Sequence, residues 1–329
     1  MSMESDKTQV SKYEYKYSFD SLPVRHSIRF EETDRPDTPT TSKICGTPYL
    51  PEHAPYPVRD GKPMLFIAQF NFEEFPPLPD FPTTGLLQLF VPNEPGWGGV
   101  FINPSYVDPR ESGEPTQFAR YIEDISAPHV GELPEEAAEE DDHPADDQTE
   151  ATTIDGILTL HTATDVSKEF AARVVDKDLP HALLRKGDAY MDIHASHFTR
   201  KPVTVRTVDG GTTTVETIAG RTGSKEEWQK LVDDAVARAQ RDGYTLDPSA
   251  DDLLEPVRYD SADVTRLGGY PKWVNDCMLS PGDPEVLLAT VSHGENIMFG
   301  DCGYGNFFIH PDDLAARNFD RVFFGWDCG

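Results

Sequence analysis

Residues 43–91, KICGTPYLPEHAPYPVRDGKPMLFIAQFNFEEFPPLPDFPTTGLLQLFV, contain two apolar runs set between proline-rich connections. The runs are MLFIAQF (64–70) and LLQLFV (86–91), and each has the length of a β-strand. Prolines flank both runs and never enter them, as expected of strands, because proline cannot donate a hydrogen bond within a sheet. The stretch therefore predicts a sheet whose strands are joined by rigid, extended loops.

The C-terminal part of the chain repeats this order of features. Gly46-Thr47-Pro48 precedes the two runs above, and Gly269-Tyr270-Pro271 precedes EVLLATV (285–291) and GNFFIHP (305–311). The recurrence of a Gly-x-Pro motif and two apolar runs at similar intervals is a weak internal repeat and suggests a duplication. We therefore expect an α+β fold dominated by β-strands, with two related lobes and a few short helices.

Other strands are indicated on both sides of the middle of the chain. In VRHSIRF (24–30) the residues Val24, His26, Ile28 and Phe30 alternate as in a half-buried strand. DGILTLH (155–161) predicts another strand. The β-like runs PVTVRTV (202–208) and TTTVETI (212–218) are separated by Asp209-Gly210-Gly211, which predicts a hairpin.

The clearest helix covers residues 225–242. Ser224 and Glu227 predict a capping box at its start, and Gly243 stands at its end. Its core face is expected to consist of the apolar residues that recur at helical spacing, Trp228, Leu231, Val232, Ala235, Val236 and Ala239. Shorter helices are expected near 167–176 and from Pro311.

The length of the chain, 329 residues, exceeds the usual size of one domain. Residues 132–150, ELPEEAAEEDDHPADDQTE, hold ten acidic residues and no basic one, and predict a solvated loop or insert. We expect an N-terminal β-rich lobe over 1–131, this acidic insert, and a C-terminal α+β lobe over 151–329. The alternative is one compact two-lobed domain over 20–329.

The charge of the chain limits the partners it can bind. The net charge is −29, from 58 acidic and 29 basic residues, and it remains −19 without the acidic insert. Such a field repels nucleic acid and anionic membranes, so neither is expected as a partner. A basic protein partner or a salt-rich cytoplasm would suit this surface, and the alternative is that the acidity only maintains solubility.

The cysteines and the apolar runs indicate a cytoplasmic protein. Cys45, Cys277, Cys302 and Cys328 lie far apart without a C-x-x-C pair, and we interpret them as reduced thiols. No apolar run is long enough to span a membrane, and the first residues, MSMESDKTQV, lack the pattern of a signal peptide. Nothing in the chain calls for a cofactor.

The block at 43–91, taken together with GDCGYGNFFIHPDDLAARNFDRVFFGWDC (300–328), resembles the YwqG-like family. The resemblance covers both ends of the chain well and the middle loosely, because the acidic insert and residues 201–256 are elaborations. It implies a bacterial intracellular α+β protein from a family without an established activity or agreed catalytic residues. No catalytic role can therefore be carried over to a residue of this chain.

Two segments could be mistaken for chemical sites. Gly300-Asp301-Cys302-Gly303 resembles the nucleophile turn of chymotrypsin-like cysteine proteases, with His194, His197 or His293 as candidate bases, but a structural turn is the simpler interpretation. The histidine pair in His194-Ala195-Ser196-His197 would need further ligands to hold a metal. We therefore assign no catalytic residue and no metal ligand.

Polar residues inside the apolar runs are the better candidates for a binding site. A buried amide must find hydrogen-bond partners, either in backbone groups that lock the fold or in a ligand. If the two lobes meet at a cleft, its lining is expected to include Gln69, Asn71, Gln88, Asp301, Asn306, Trp326 and Asp327.

Charge and candidate residues together favour binding over catalysis. The leading hypothesis is a protein-interaction role with a basic partner, for which an immunity-like protein set against a toxin is one concrete form. The alternative is a small-molecule binder or hydrolytic enzyme with a site between the lobes. The sequence does not decide between them.

Overall fold

The computed structural model of the protein describes residues 22–94, 115–134, 150–162, 180–194, 200–206, 212–218, 224–248, 264–274, 286–294 and 297–328. Its strands are β1 (Leu22–Thr33), β2 (Lys43–Ile44), β3 (Val58–Arg59), β4 (Lys62–Pro63), β5 (Leu65–Asn71), β6 (Leu86–Val91), β7 (Ala119–Ile122), β8 (Thr152–Thr162), β9 (His181–Lys186), β10 (Ala189–His194), β11 (Arg200–Arg206), β12 (Thr212–Ile218), β13 (Thr245–Leu246), β14 (Arg266–Gly268), β15 (Val286–Ser292), β16 (Tyr304–Ile309) and β17 (Phe323–Asp327). The helices are α1 (Lys225–Arg241), α2 (Pro311–Ala315) and a 3₁₀ turn (Phe319–Arg321).

Strands dominate the described residues, which confirms a mainly β fold with few helices. The helix expected near 167–176 and residues 135–149 of the acidic insert lie outside the described ranges. The chain forms two compact units: one comprises Met1–Arg25 and Leu160–Ser261, and the other comprises His26–Thr159 and Ala262–Gly329. The proposed division at 132–150 stays a prediction.

The unit of His26–Thr159 and Ala262–Gly329 is built on one sheet. The strand order along it is β17-β16-β15-β14-β1-β8-β2-β5-β6-β7. Every residue of β5, β6, β16 and β17 is buried, because both faces of these strands are covered, and this explains why their sequences are almost continuously apolar.

This sheet curls into a half-barrel around an aromatic core. Its end strands are β7 and β17, and residues in or next to them meet in space. The rings of Phe118 and Phe324 lie 5.5 Å apart, and the backbone N–H of Thr116 donates to the carbonyl of Asp320 at 2.8 Å. The curl encloses a single large cluster of buried apolar side chains, which stabilises the unit through the hydrophobic effect.

The two halves of the sheet share strand order and an irregularity. β2-β5-β6-β7 and β14-β15-β16-β17 are each antiparallel ladders. The pairing of β5 with β6 shifts between Phe66 and Ala68, and that of β15 with β16 shifts between Leu287 and Ala289. The two-lobe duplication that the recurring Gly-x-Pro motif and apolar runs suggest stays a prediction.

In the other unit, helix α1 packs on strands β9 and β10; β9 also pairs with β13, and β10 with the start of β1. The capping box is confirmed: Ser224 Oγ accepts from Glu227 N at 3.3 Å, and Glu227 Oε2 accepts from Ser224 N at 2.7 Å. Leu231 was wrongly placed in the core, because it lies at the edge of the apolar face and remains 38% exposed. The β11–β12 hairpin is also confirmed.

Candidate functional site

A row of polar side chains crosses the first half of the curled sheet. Lys43 lies opposite Gln69, Gln69 opposite Gln88, and Gln88 opposite Arg120, on strands β2, β5, β6 and β7. Directly opposite residues point to the same face of a sheet, so the four side chains lie side by side on one face, one on each successive strand. We call these four residues the polar row. Lys43, Gln69 and Gln88 are buried, and Arg120 is half-buried at its outer end.

The two glutamines of the polar row form hydrogen bonds to the backbone of the segments before and after β2. Gln69 Oε1 accepts from Tyr49 N at 2.9 Å, and Gln88 Nε2 donates to Tyr49 O at 2.8 Å. Gln69 Nε2 donates to the carbonyls of Pro39 and Thr41 at 2.8 and 2.7 Å. These amides are therefore bonded to backbone groups, which is the first of the two roles expected for them. Their role in ligand binding stays a prediction.

Lys43 is an internal cation at the other end of the polar row. Its ammonium donates to the carbonyls of Thr38 at 3.0 Å and Thr47 at 3.1 Å and forms an ion pair with Asp37. Burial lowers the pKa of Lys43, and the hydrogen bond and charge of Asp37 oppose that shift. Three acceptors satisfy all three N–H groups, so Lys43 holds its own loop in place.

A corresponding row crosses the second half of the sheet. Arg266, Thr290, Asn306 and Gly325 lie opposite one another on β14, β15, β16 and β17. Asn306 Oδ1 accepts from Thr290 Oγ1 at 2.7 Å and from Lys272 N at 3.3 Å, while Asn306 Nδ2 donates to Lys272 O at 2.8 Å. Asn306 thus forms hydrogen bonds with both the N–H and the C=O of Lys272, as the two glutamines together do with those of Tyr49 in the first half. This row ends in a glycine where the polar row ends in an arginine.

An open cleft of about 530 Å³ lies at the Arg120 end of the polar row. It is formed by the loop that follows Tyr49 and by β7 with the residues after it, and is lined by His53, Ala54, Pro55, Arg120, Tyr121, Ile122, Glu123 and Asp124. We call it the Arg120 cleft.

Neutral acceptors hold the guanidinium of Arg120 in this cleft. Its Nε and Nη2 donate to Gln88 Oε1 at 2.9 and 2.5 Å, and its Nη1 donates to the carbonyl of Pro55 at 2.6 Å. The guanidinium carbon lies 5.3 Å from the centre of the Phe90 ring, a cation–π distance. Burial lowers the pKa of Arg120 to about 10, while the Tyr56 phenol opposes the shift, so the group stays cationic at neutral pH.

The rim of the Arg120 cleft is acidic. Glu123 and Asp124 are exposed and line its opening, as does His53. Hydrogen bonds from Ser126 hold the pKa of the Asp124 carboxyl below its usual range, and the charge of His53 contributes in the same direction. Asp124 is therefore an anion at neutral pH. The cleft combines a cationic floor with a negatively charged rim.

The surface of the curled-sheet unit carries mostly negative charge. Among its described residues seventeen acidic side chains are exposed, whereas only three of the ten basic ones, Lys62, Arg317 and Arg321, are. Several of the remaining cations pair with carboxylates: Arg35 with Glu74 at 2.7 Å and with Asp155 at 3.1 Å, for example. The unit therefore keeps its cations inside and presents carboxylates to solvent.

The other candidate residues lie apart from the polar row. Asn71 is buried further along β5, where its Nδ2 donates to Thr40 O at 3.1 Å. Trp326 belongs to the apolar core, and Asp327 Oδ2 accepts from Val274 N at 2.8 Å. Asp301 is exposed in a turn. The structure brings Gln69 and Gln88 together, with Asn71 two residues further along β5. Asn306, Trp326 and Asp327 lie on the paired strands β16 and β17, and Asp301 lies outside the sheet.

The Gly300–Gly303 segment forms a tight turn. The N–H of Gly303 donates to Phe299 O at 2.9 Å, and Cys302 adopts a φ of 54°. A Cβ at Gly303 would lie 1.9 Å from Asp327 O, so only glycine fits there. Cys302 is exposed and makes no hydrogen bond within the described ranges. The close backbone contacts of the turn thus account for the glycine at position 303.

No set of three or more His, Cys, Asp or Glu side chains in the described part of the chain is arranged to hold a metal ion. His194 lies opposite His181 in the β9–β10 ladder, and His197 and Cys277 are outside the described ranges. None of the described helices is both long and apolar enough to cross a membrane.

Arg120 is the functional candidate that sequence patterns missed. It sits in ARYI (119–122), a strand of four residues without a motif. A charged residue inside a short, otherwise apolar and aromatic strand was the available signal. Its meaning depends on the opposing Gln88, whose partnership with Arg120 is visible only after the strands are paired.

Comparison with known proteins gives a family and no function. A family model described as "Domain of unknown function (DUF1963)" matches residues 42–328. No curated protein matches the chain. The matched range includes both rows of the curled sheet and all residues of the Arg120 cleft.

Proposed function

Because the chain belongs to the DUF1963 family, whose function is unknown, we propose its function from its own surface: it binds a basic protein partner, without catalysis. The excess of exposed carboxylates over exposed cations supports this proposal. A surface of one sign attracts partners of the other sign and accelerates their association. An immunity-like protein that neutralises a basic toxin is one form that such a role can take.

One acidic face is well defined near the end of β1. Glu32, Asp34 and Glu73 are exposed, and we call them the acidic turn. The Arg35–Glu74 ion pair, at 2.7 Å, joins the segments that contain Asp34 and Glu73. Arg35 is already engaged by its own partners. The acidic turn therefore presents uncompensated negative charge to an approaching protein.

The test is affinity capture of partners from native lysate, with variants that change charge without changing shape. The bait is compared with a Glu32→Gln/Asp34→Asn/Glu73→Gln variant, whose side chains make no described hydrogen bond or ion pair. We expect one stoichiometric basic protein on the unchanged bait. It should be released as salt rises from about 0.1 M to about 1 M, because the screening length falls from about 10 Å to about 3 Å.

A matched control separates recognition from general acidity. Asp60→Asn/Glu94→Gln/Asp320→Asn removes the same charge from exposed positions elsewhere. The proposal requires the acidic-turn variant to lose most of the partner and the control to keep it. Equal loss in both variants would show that net charge alone causes the binding. Recovery of background proteins only, from a folded bait, would refute a stable partner.

A further inference from the structure

The Arg120 guanidinium is a partly desolvated charge without a counter-ion. Its hydrogen-bond partners are the amide oxygen of Gln88 and the carbonyl of Pro55, both neutral. Within the described residues no carboxylate lies at ion-pair distance from it, although acidic residues are abundant on the same unit. Arg35, by contrast, contacts two carboxylates. A partly desolvated charge that lacks an opposite charge is costly, so an anion that reaches Arg120 is stabilised there.

The hydrogen bonds of Arg120 leave donors available for such an anion. A guanidinium has five N–H groups, and three of those of Arg120 are used. Nη1 and Nη2 each retain one. A carboxylate or phosphate oxygen can accept from such remaining N–H groups in a charge-assisted hydrogen bond. The partners at Gln88 and Pro55 meanwhile hold the guanidinium plane in a fixed orientation.

The second half of the sheet shows that its row is complete without this cation. Gly325 occupies the position that corresponds to Arg120, and a Cβ there would lie 3.4 Å from the Trp273 ring. Asn306 fastens its loop residue with no guanidinium beside it. In that half an indole covers the position, whereas in the first half the position opens into a cleft. The second half therefore forms a row of the same kind without a guanidinium at this position.

We propose that the Arg120 cleft is a binding site for one anionic group, a carboxylate or a phosphate, carried by a ligand whose remaining part is neutral or cationic. The guanidinium at the floor accepts the anion, and the negative rim formed by Glu123 and Asp124 disfavours ligands with further negative charge. A cationic group on the same ligand gains from that rim. This inference goes beyond the binding of a basic protein and does not depend on it.

The test follows the Nε–H signal of Arg120 by NMR while the full chain is titrated at low ionic strength. The probes are inorganic phosphate, valerate and δ-aminovalerate, which differ in the anion and in the presence of an ammonium group. We expect a saturable shift with a dissociation constant below about 1 mM for at least one probe. δ-Aminovalerate should bind more tightly than valerate, because its ammonium can reach the acidic rim.

The variants Arg120→Gln and Arg120→Lys complete the test. Loss of the guanidinium should weaken binding at least about tenfold, and lysine should not restore it because it lacks the paired donors. Arg59→Gln is the matched control, since Arg59 is half-buried in the same half and does not line the cleft. Saturation by phosphate alone or by a carboxylate alone would identify the anion. If no probe shifts the wild-type signal, or if Arg120→Gln binds as wild type does, the proposal is overturned.

Discussion

The substitution Gln69→Leu should destabilise the curled-sheet unit by about 4 kcal/mol. Gln69 is fully buried, and leucine would fill most of its volume without replacing its hydrogen bonds. The N–H of Tyr49 and the carbonyl of Thr41 would lose their side-chain partners, and both residues are buried. Each unsatisfied buried backbone group costs about 1–3 kcal/mol. The sum is a large fraction of the 5–15 kcal/mol or so by which a domain is stable.

The assay is urea unfolding monitored by circular dichroism, at neutral pH. Thr290→Val is the control, because Thr290 holds the corresponding position in the second half and donates one hydrogen bond, to Asn306. Removing that donor leaves Asn306 Oδ1 its bond from Lys272, so the expected loss is about 1 kcal/mol. A Gln69→Leu loss no greater than that of Thr290→Val would refute the view that the polar row locks the loops.

Two further outcomes follow from the packing and the charges. Gly303→Ala should prevent folding of this end of the sheet or strongly lower the melting temperature, because the new Cβ would lie 1.9 Å from Asp327 O and 2.3 Å from Phe299 O. The control Gly325→Ala should lower the melting temperature only slightly, because its Cβ would make ordinary van der Waals contacts. Thermal unfolding measures both effects. The lowered pKa of Lys43 means that the unfolded chain binds more protons between that pKa and the ordinary lysine pKa of 10.5, so stability from this group rises with pH across that window. Urea unfolding of the wild type and Lys43→Met at successive alkaline pH values tests the sign, since the variant should lack this rise.

Local patterns predicted the strands and the long helix well. The apolar runs at 64–70 and 86–91 became β5 (Leu65–Asn71) and β6 (Leu86–Val91). The capping box placed the start of α1 correctly. Such features depend on interactions between residues a few positions apart, so the sequence contains them directly. Leu231 was the exception in the helix, because its burial depends on what packs beside that edge.

The buried amides could be recognised in the sequence but their partners could not. Gln69 and Gln88 stood out as polar residues in apolar runs, and two roles were open to them. Their bonds to Tyr49 arise because β5 and β6 pair in a particular register and the loop that follows β2 lies over that face. A shift of that register by one residue would turn both amides to the opposite face.

Sequence alone determined the strand-rich composition, the helix with its cap, and the strongly negative charge, because each is set by residue type or by neighbours along the chain. Tertiary structure alone decided that Leu267 lies opposite Ile28, and that Arg120 ends a row of polar residues beside an open cleft. Pairings between residues so far apart are selected by the burial of the whole sheet, and no short stretch of sequence contains that information.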